Sequence, residues 1–268
     1  MITFRVFSEI YCHGDLLHTV QMAQVYKDSK TFVDRKLLGA PKSVRDKFDA
    51  FMKSVSNKPT RDQTRKFVED NFVDASKDFE AWTPPDWTPS PSFVESIKDE
   101  NLREYALQLN AIWKTLGRQI DQEVEQNKDE FSLVYVPNPF MVPGGRFAEF
   151  YYWDQYWILK GMLLCEMKDS VRGMIENFMF MVRTMGYVPN GGRIYYERTQ
   201  PPLLIPMVKD YIQATGNLKF LQKHLPTLDK EFHFWMKNRT VVINKKGKSY
   251  RLARYNNELT GPRPESYR

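Results

Sequence analysis

Three stretches of the 268-residue chain gather arginine, carboxylate, carboxamide, tryptophan and tyrosine beside glycine and proline. Residues 143–157 read P-G-G-R-F-A-E-F-Y-Y-W-D-Q-Y-W, residues 189–202 read P-N-G-G-R-I-Y-Y-E-R-T-Q-P-P, and residues 263–267 read R-P-E-S-Y. Guanidinium, carboxylate and carboxamide groups each engage several hydroxyls at once, while indole and phenol faces stack on C–H surfaces, so the mixture suits a sugar. The bland alternative makes Tyr152, Trp153, Tyr156 and Trp157 core aromatics at a helix start, with Asp154 as its N-cap. Trp157, in register with Gly161 and Leu164, is assigned to the core. Arg146, Asp154 and Arg263 are assigned to the site, because charges clustered beside glycine turns need partners and rarely serve packing.

Helices must position these loops. From about residue 90 onward the apolar period is helical. Leu102, Tyr105, Leu109, Ile112 and Leu116 form one stripe, read as core-facing, and Val171, Met174, Ile175, Phe178, Met179 and Val182 form a second, which Gly186 closes. Leu218 and Leu221, then Leu228, Phe232 and Trp235, suggest a further pair, with Pro226 in the first turn of the later helix. Residues 40–72 read as two shorter charged amphipathic helices. Residues 81–91 hold Pro84, Pro85, Pro89 and Pro91 and are expected to form an extended loop pinned by Trp82 and Trp87. Successive antiparallel helix pairs fit an α-solenoid and a closed α/α toroid equally well.

Composition narrows the function classes. With 42% hydrophobic and 14% aromatic residues the chain has enough apolar surface for one sizeable core. The net charge of +6 is mild and forms no long block of one sign, which argues against nucleic acid as a partner. The densest basic stretch, Lys245, Lys246, Lys248, Arg251 and Arg254 around Gly247, reads as a solvated hairpin tip rather than a phosphate-binding patch. Only Cys12 and Cys165 are present, so no disulfide framework and no zinc spacing is expected, and His13, His18, His224 and His233 lack a metal-binding spacing. Glu9 and Asp15 interrupt the apolar run that a signal peptide requires, and no stretch is long enough to cross a bilayer. Taken as it stands the sequence reads as that of a protein kept inside the cell. Asn238-Arg239-Thr240 is a glycosylation sequon, relevant only to a secreted protein.

The segment P-G-G-R-F-x-E-x-Y-Y-W-D-x-Y-W resembles the long signature of the α,α-trehalase family. Ile10-Tyr11-Cys12-His13-Gly14, Asp28-Ser29-Lys30-Thr31-Phe32-Val33-Asp34, Val136-Pro137-Asn138-Pro139-Phe140, Pro189-Asn190-Gly191 and Arg263-Pro264-Glu265-Ser266 are similar to family segments in family order, so the resemblance spans nearly the whole chain. It implies an all-α fold, an incomplete (α/α)6 barrel (an α/α toroid) with a small β-hairpin near the C-terminus, residues 1–268 being the N-terminal portion of a single catalytic domain with the remainder of the barrel absent. It implies hydrolysis of trehalose to two glucose molecules without metal or organic cofactor. By motif position Arg146, Trp153, Asp154, Asn190, Arg198, Thr199, Gln200, Arg263, Pro264 and Glu265 correspond to residues that hold the two glucose units.

Two departures from the family accompany the resemblance. The family usually has two residues between the second tyrosine and the arginine before Gln-Pro-Pro, whereas only Glu197 separates Tyr196 from Arg198. Trehalases resemble inverting enzymes, whose acid and base flank the scissile bond about 6.5–9.5 Å apart, and in the family both follow the Arg-Pro-Glu-Ser motif. The acid and base are therefore expected beyond Arg268, and Glu149, Asp154 and Glu265 are expected to hold sugar rather than transfer protons. The chain is accordingly expected to be inactive by itself, a fragment of a longer enzyme. A non-catalytic sugar-binding or interaction module is the alternative, and an α-solenoid that binds anionic partners through the basic hairpin is a third reading. An N-terminus that continues upstream would leave secretion or membrane attachment open.

Overall fold

The computed structural model describes residues 8–74, 78–196, 198–257 and 259–268. Its centre is a stack of four helices, α7 (Tyr152–Leu164), α8 (Lys168–Met185), α9 (Leu204–Thr215) and α10 (Leu218–Asn238), each packed on its neighbours in sequence. Local signals set their ends. Gly186 and Gly216 close α8 and α9 with φ of 94° and 68°, and the Asn217 side chain accepts from Phe220 N to start α10. The whole second stripe of the sequence, from Val171 to Val182, is buried on α8. α10 is one helix with Pro226 inside it, not two; Pro226 lies on the exposed side, where its missing N–H and any kink meet solvent.

Ahead of the stack come α1 (Asp15–Met22), α2 (Lys30–Val33), α3 (Pro41–Ser54), α4 (Arg61–Asn71), α5 (Glu100–Leu116) and α6 (Gln122–Gln126). α3 and α4 are the two amphipathic helices expected over residues 40–72, and Thr60 with Gln63 makes a capping box at the start of α4. Among the described residues two apolar clusters result. One gathers the helix stack, and the other gathers α1 to α4 with Ile194 and Tyr195 from the second glycine loop; Val134 packs against both.

The chain is helix-rich, but among the described residues there are three small sheets where the sequence reading had one hairpin. β1 (Lys36–Leu37) pairs with β2 (Phe72–Val73), and β4 (Gly117–Ile120) lies between β3 (Phe79–Ala81) and β5 (Phe140–Met141), all antiparallel. These strands are two to four residues long, too short to show a period in sequence. β6 (Thr240–Lys245) and β7 (Lys248–Ala253) form the expected hairpin about Lys246 and Gly247, both at positive φ.

The burial of six apolar positions departs from the sequence reading. Leu102, Tyr105, Leu109 and Ile112 of α5 are 44–60% exposed, because that helix is covered on its other side, where Asn110 is buried and bonded to Thr88 O and its own carbonyl accepts from Trp87 Nε1. Trp157 is 58% exposed and not core: α7 buries Tyr152, Gln155, Leu159 and Met162, and Trp157 lies about 200° around the helix from Leu159. Phe232 is likewise exposed on α10, whose inner face is Phe220, His224, Thr227, Leu228 and Glu231.

Candidate functional site

The first glycine loop turns at Gly144 and Gly145, whose φ of 106° and 60° favours glycine, and Phe147 N closes the turn on Gly144 O at 3.1 Å. Arg146 stands at its apex. Arg146 Nε and Nη2 donate to Asp28 Oδ2 and Oδ1 at 2.7 and 2.6 Å, and Nη2 also reaches the carbonyl of Glu265 at 2.9 Å. The hydrogen bond from Arg146 holds the Asp28 carboxyl below its ordinary value. From the second loop, buried Arg198 donates through Nη2 to Glu265 Oε1 at 2.7 Å, its guanidinium 5.1 Å over the Tyr195 ring. Glu265 thus receives one arginine on its side chain and another on its backbone. Beside it opens a hollow of about 820 Å³, lined among others by Tyr26, Asp28, Thr31, Arg146, Glu265 and Arg268.

A second group forms at the start of α7. Gln200 Oε1 accepts from Trp153 N at 2.9 Å and so caps the helix from a separate loop, while Gln200 Nε2 reaches Asp154 Oδ2 at 3.4 Å. Asp154 is therefore not the N-cap; Tyr151 holds that position without a side-chain cap. Burial pushes the Asp154 carboxyl up, and the bond from Gln200 pulls it the other way. The Trp153 side chain remains 43% exposed beside them.

Asn190 joins the two groups through its main chain: its N–H donates to Arg198 O at 2.9 Å and its carbonyl accepts from Tyr152 N at 3.2 Å. This close approach needs glycine next to it. A Cβ on Gly191 would lie 2.9 Å from the Tyr151 ring and 3.0 Å from Phe150 O. Thr199 and Pro264 are buried between the loops, the Pro264 carbonyl accepting from Gln21 Nε2 at 3.3 Å. Arg263 is exposed and precedes the 3-10 turn Pro264–Ser266. Of the ten residues expected to hold sugar, Arg146 and Glu265 line the hollow, whereas Trp153, Asp154, Asn190, Arg198, Thr199, Gln200, Arg263 and Pro264 do not. Glu197 lies outside the described residues.

Sequence reasoning missed the charges underneath. Lys30 and Arg193 are each 2% exposed and meet three acids, Asp34, Asp78 and Glu149. Lys30 Nζ reaches Asp34 at 2.6 Å and Glu149 at 2.9 Å, while Arg193 Nη1 donates to Asp78 Oδ2 at 3.3 Å and Ser132 Oγ at 3.0 Å. Tyr151 donates its hydroxyl to the other Glu149 oxygen at 2.6 Å. Burial acts to raise the Glu149 carboxyl, but Arg193 and Lys30 hold it below its ordinary value; burial outweighs Arg193 at Asp78, which is pushed up to about 6. The available signal was opposite charges in the Asp28-to-Asp34, Arg146-to-Glu149 and Arg193 segments, whose pairing depends on the fold.

Among the described residues no group of histidine, cysteine and acid side chains is arranged to hold a metal ion, and no helix is long and apolar enough to cross a membrane. Cys12 and Cys165 are both buried, and Cys12 Sγ donates to the Ile194 carbonyl at 3.4 Å.

Comparison with known proteins adds to this geometry. The sequence is 52% identical to a trehalase of Apis mellifera and 48% identical to a trehalase of Homo sapiens, in each case over 97% of this chain, but over only 42% and 45% of those proteins. The chain thus spans under half the length of these curated relatives. Among solved structures it is similar to the neutral trehalase of Saccharomyces cerevisiae at 28% identity and a TM-score of 0.44, over 54% of this chain and 30% of that one. The sequence profile described as Trehalase matches residues 24–268, and the chain belongs to the trehalase family.

Proposed function

We propose that a protein carrying this chain hydrolyses α,α-trehalose to two glucose molecules with inversion, and that the chain contributes the loops that hold the sugar. The observation that carries this reading is the convergence of three sequence-distant loops on Glu265, with Arg198 at 2.7 Å from its carboxylate and Arg146 at 2.9 Å from its carbonyl, beside a hollow of about 820 Å³. That volume lies in the range of about 300–1,000 Å³ typical of small-molecule sites. Trehalose is uncharged and carries hydroxyls on every side, so it is held by forked donors and carboxylates rather than by a counter-charge. Arg146, Arg198, Glu265 and Asp154 supply such groups, Asn190 and Gln200 add carboxamides, and exposed Trp153 offers a stacking face.

Proton transfer is assigned to none of these acids. An inverting pair needs one carboxyl that stays protonated to act on the leaving oxygen and one carboxylate that activates water. Glu149, Asp34 and Asp78 are locked in the buried charge network, and Glu265 and Asp28 each face an arginine. The acid and base are proposed to come from other residues of the active protein.

Glucose release from trehalose by the full-length gene product tests the reading. Release that falls at least a hundredfold in R146A supports it; a folded wild type releasing no glucose above that variant refutes it. Calorimetry with trehalose on residues 1–268 tests the alternative, a sugar-binding module without catalysis, which requires saturable binding in the absence of turnover.

A further inference from the structure

Asp28 and Lys30, two residues apart, grip the first glycine loop with opposite polarity: Asp28 takes the Arg146 guanidinium and Lys30 takes the Glu149 carboxylate. The two grips have different settings. The Lys30 and Glu149 side chains are 3% and 0% exposed, so their pair anchors the loop from inside. The Asp28 and Arg146 side chains are 40% and 37% exposed and stand on the wall of the hollow. An ion pair so exposed adds little stability. Its geometry, however, is the bidentate fork, which fixes the plane of a guanidinium carried on a long flexible stem. Asp28 is itself held, because its Oδ1 also accepts the main-chain N–H of Lys30 at 2.9 Å. With Nε and Nη2 engaged by Asp28, and Nη2 shared with the Glu265 carbonyl, Nη1 lies outside these bonds.

We propose that Asp28 is a positioning residue of the sugar site, holding Arg146 in the one orientation that presents Nη1 to the ligand hydroxyls; the inference rests on the sugar-holding reading above. Asp28 acts through Arg146. Preorganising a rotamer-rich side chain improves affinity by removing an ordering cost on binding. Where Arg146 contacts substrate and transition state alike, its loss of order raises KM and leaves kcat nearly unchanged.

The test uses the full-length gene product and the variants D28N, D28E, R146A and D28N/R146A, with KM and kcat for trehalose and the melting temperature of each. D28N is expected to raise KM about tenfold with kcat within twofold and the melting temperature nearly unchanged. D28E, which retains the charge, is expected to fall between wild type and D28N. In the R146A background D28N is expected to add nothing, since the group it positions is gone. A KM within twofold of wild type in D28N overturns the proposal, as does an equal D28N effect with and without Arg146. If D28N does not accumulate as folded protein, D28S is judged by the same criteria. A wild type that neither binds nor cleaves trehalose removes the sugar reading and this inference with it, whereas an active wild type with an unaffected D28N removes this inference alone.

Discussion

Tyr152 donates its hydroxyl to the buried carboxyl of Glu231 and accepts the Leu204 N–H at 3.0 Å, so one phenol ties the starts of α7 and α9 to the middle of α10. Tyr152 immediately precedes Trp153, whose N–H is capped by Gln200.

Burial pushes the Glu231 carboxyl from an ordinary 4.5 up to about 7, with Tyr152 pulling in the opposite direction. Its folded pKa is raised, so the folded state binds the proton more tightly than the unfolded chain. The associated stability is fully present below about pH 4.5 and is lost as pH rises through about 7. E231Q, which stays neutral, is expected to remove this loss and to exceed wild type at pH 8 by up to about 3 kcal/mol. Denaturant unfolding at pH 5 and pH 8 checks it; an equal pH slope in E231Q and wild type would contradict the assignment.

Arg193 is one of two cations set against three acids, buried Asp78 and Glu149 and half-buried Asp34. R193M keeps the stem and deletes the charge, leaving Lys30 alone with Asp34, Asp78 and Glu149. Removal of one partner from a buried charge set costs roughly 3–5 kcal/mol. Thermal unfolding of R193M should show that loss, and adding D78N should restore part of it. A melting temperature within a degree or two of wild type would mean that the network contributes nothing.

The Arg198 to Glu265 contact spans two loops with the arginine 3% exposed. R198K preserves the charge but loses the planar fork and the stacking over Tyr195. Trehalose affinity is expected to fall about tenfold, equivalent to about 1.4 kcal/mol. Titration calorimetry measures this directly, and undiminished affinity in R198K would place the sugar elsewhere.

Gly191 has no room for a methyl group between Phe150 and Tyr151. G191A is expected to destabilise by about 1–3 kcal/mol through overpacking, and to weaken trehalose binding by displacing Asn190 from α7. If G191A melts and binds like wild type, the two loops are not as tightly joined as described.

Much of the helical scaffold was legible because its signals are local. Thr60 with Gln63, Gly186 and Asn217 act within a single turn of chain, and the α8 stripe is apolar for the whole length of its buried face. Pro226 misled because a proline at the exposed side of a well-packed helix is tolerated. The α5 stripe and Trp157 misled because apolar periodicity marks a face without naming what covers it. Of the candidate site, the residue types and their three loops were legible, and so was Arg146 at a glycine turn. Its pairing with Asp28, 118 residues away, was not.

The sequence by itself determined the helical stripe that Gly186 closes, where the hairpin turns, and, through motif order, the family. These depend on backbone propensity and capping over a few residues, or on patterns that can be read in line. The tertiary structure alone decided that Arg146 and Arg198 meet at Glu265, that Lys30 and Arg193 share three acids, and that Gln200 caps α7. Charge and hydrogen-bond partners are chosen by proximity in space, and proximity between distant segments exists only once the two apolar clusters have folded around them.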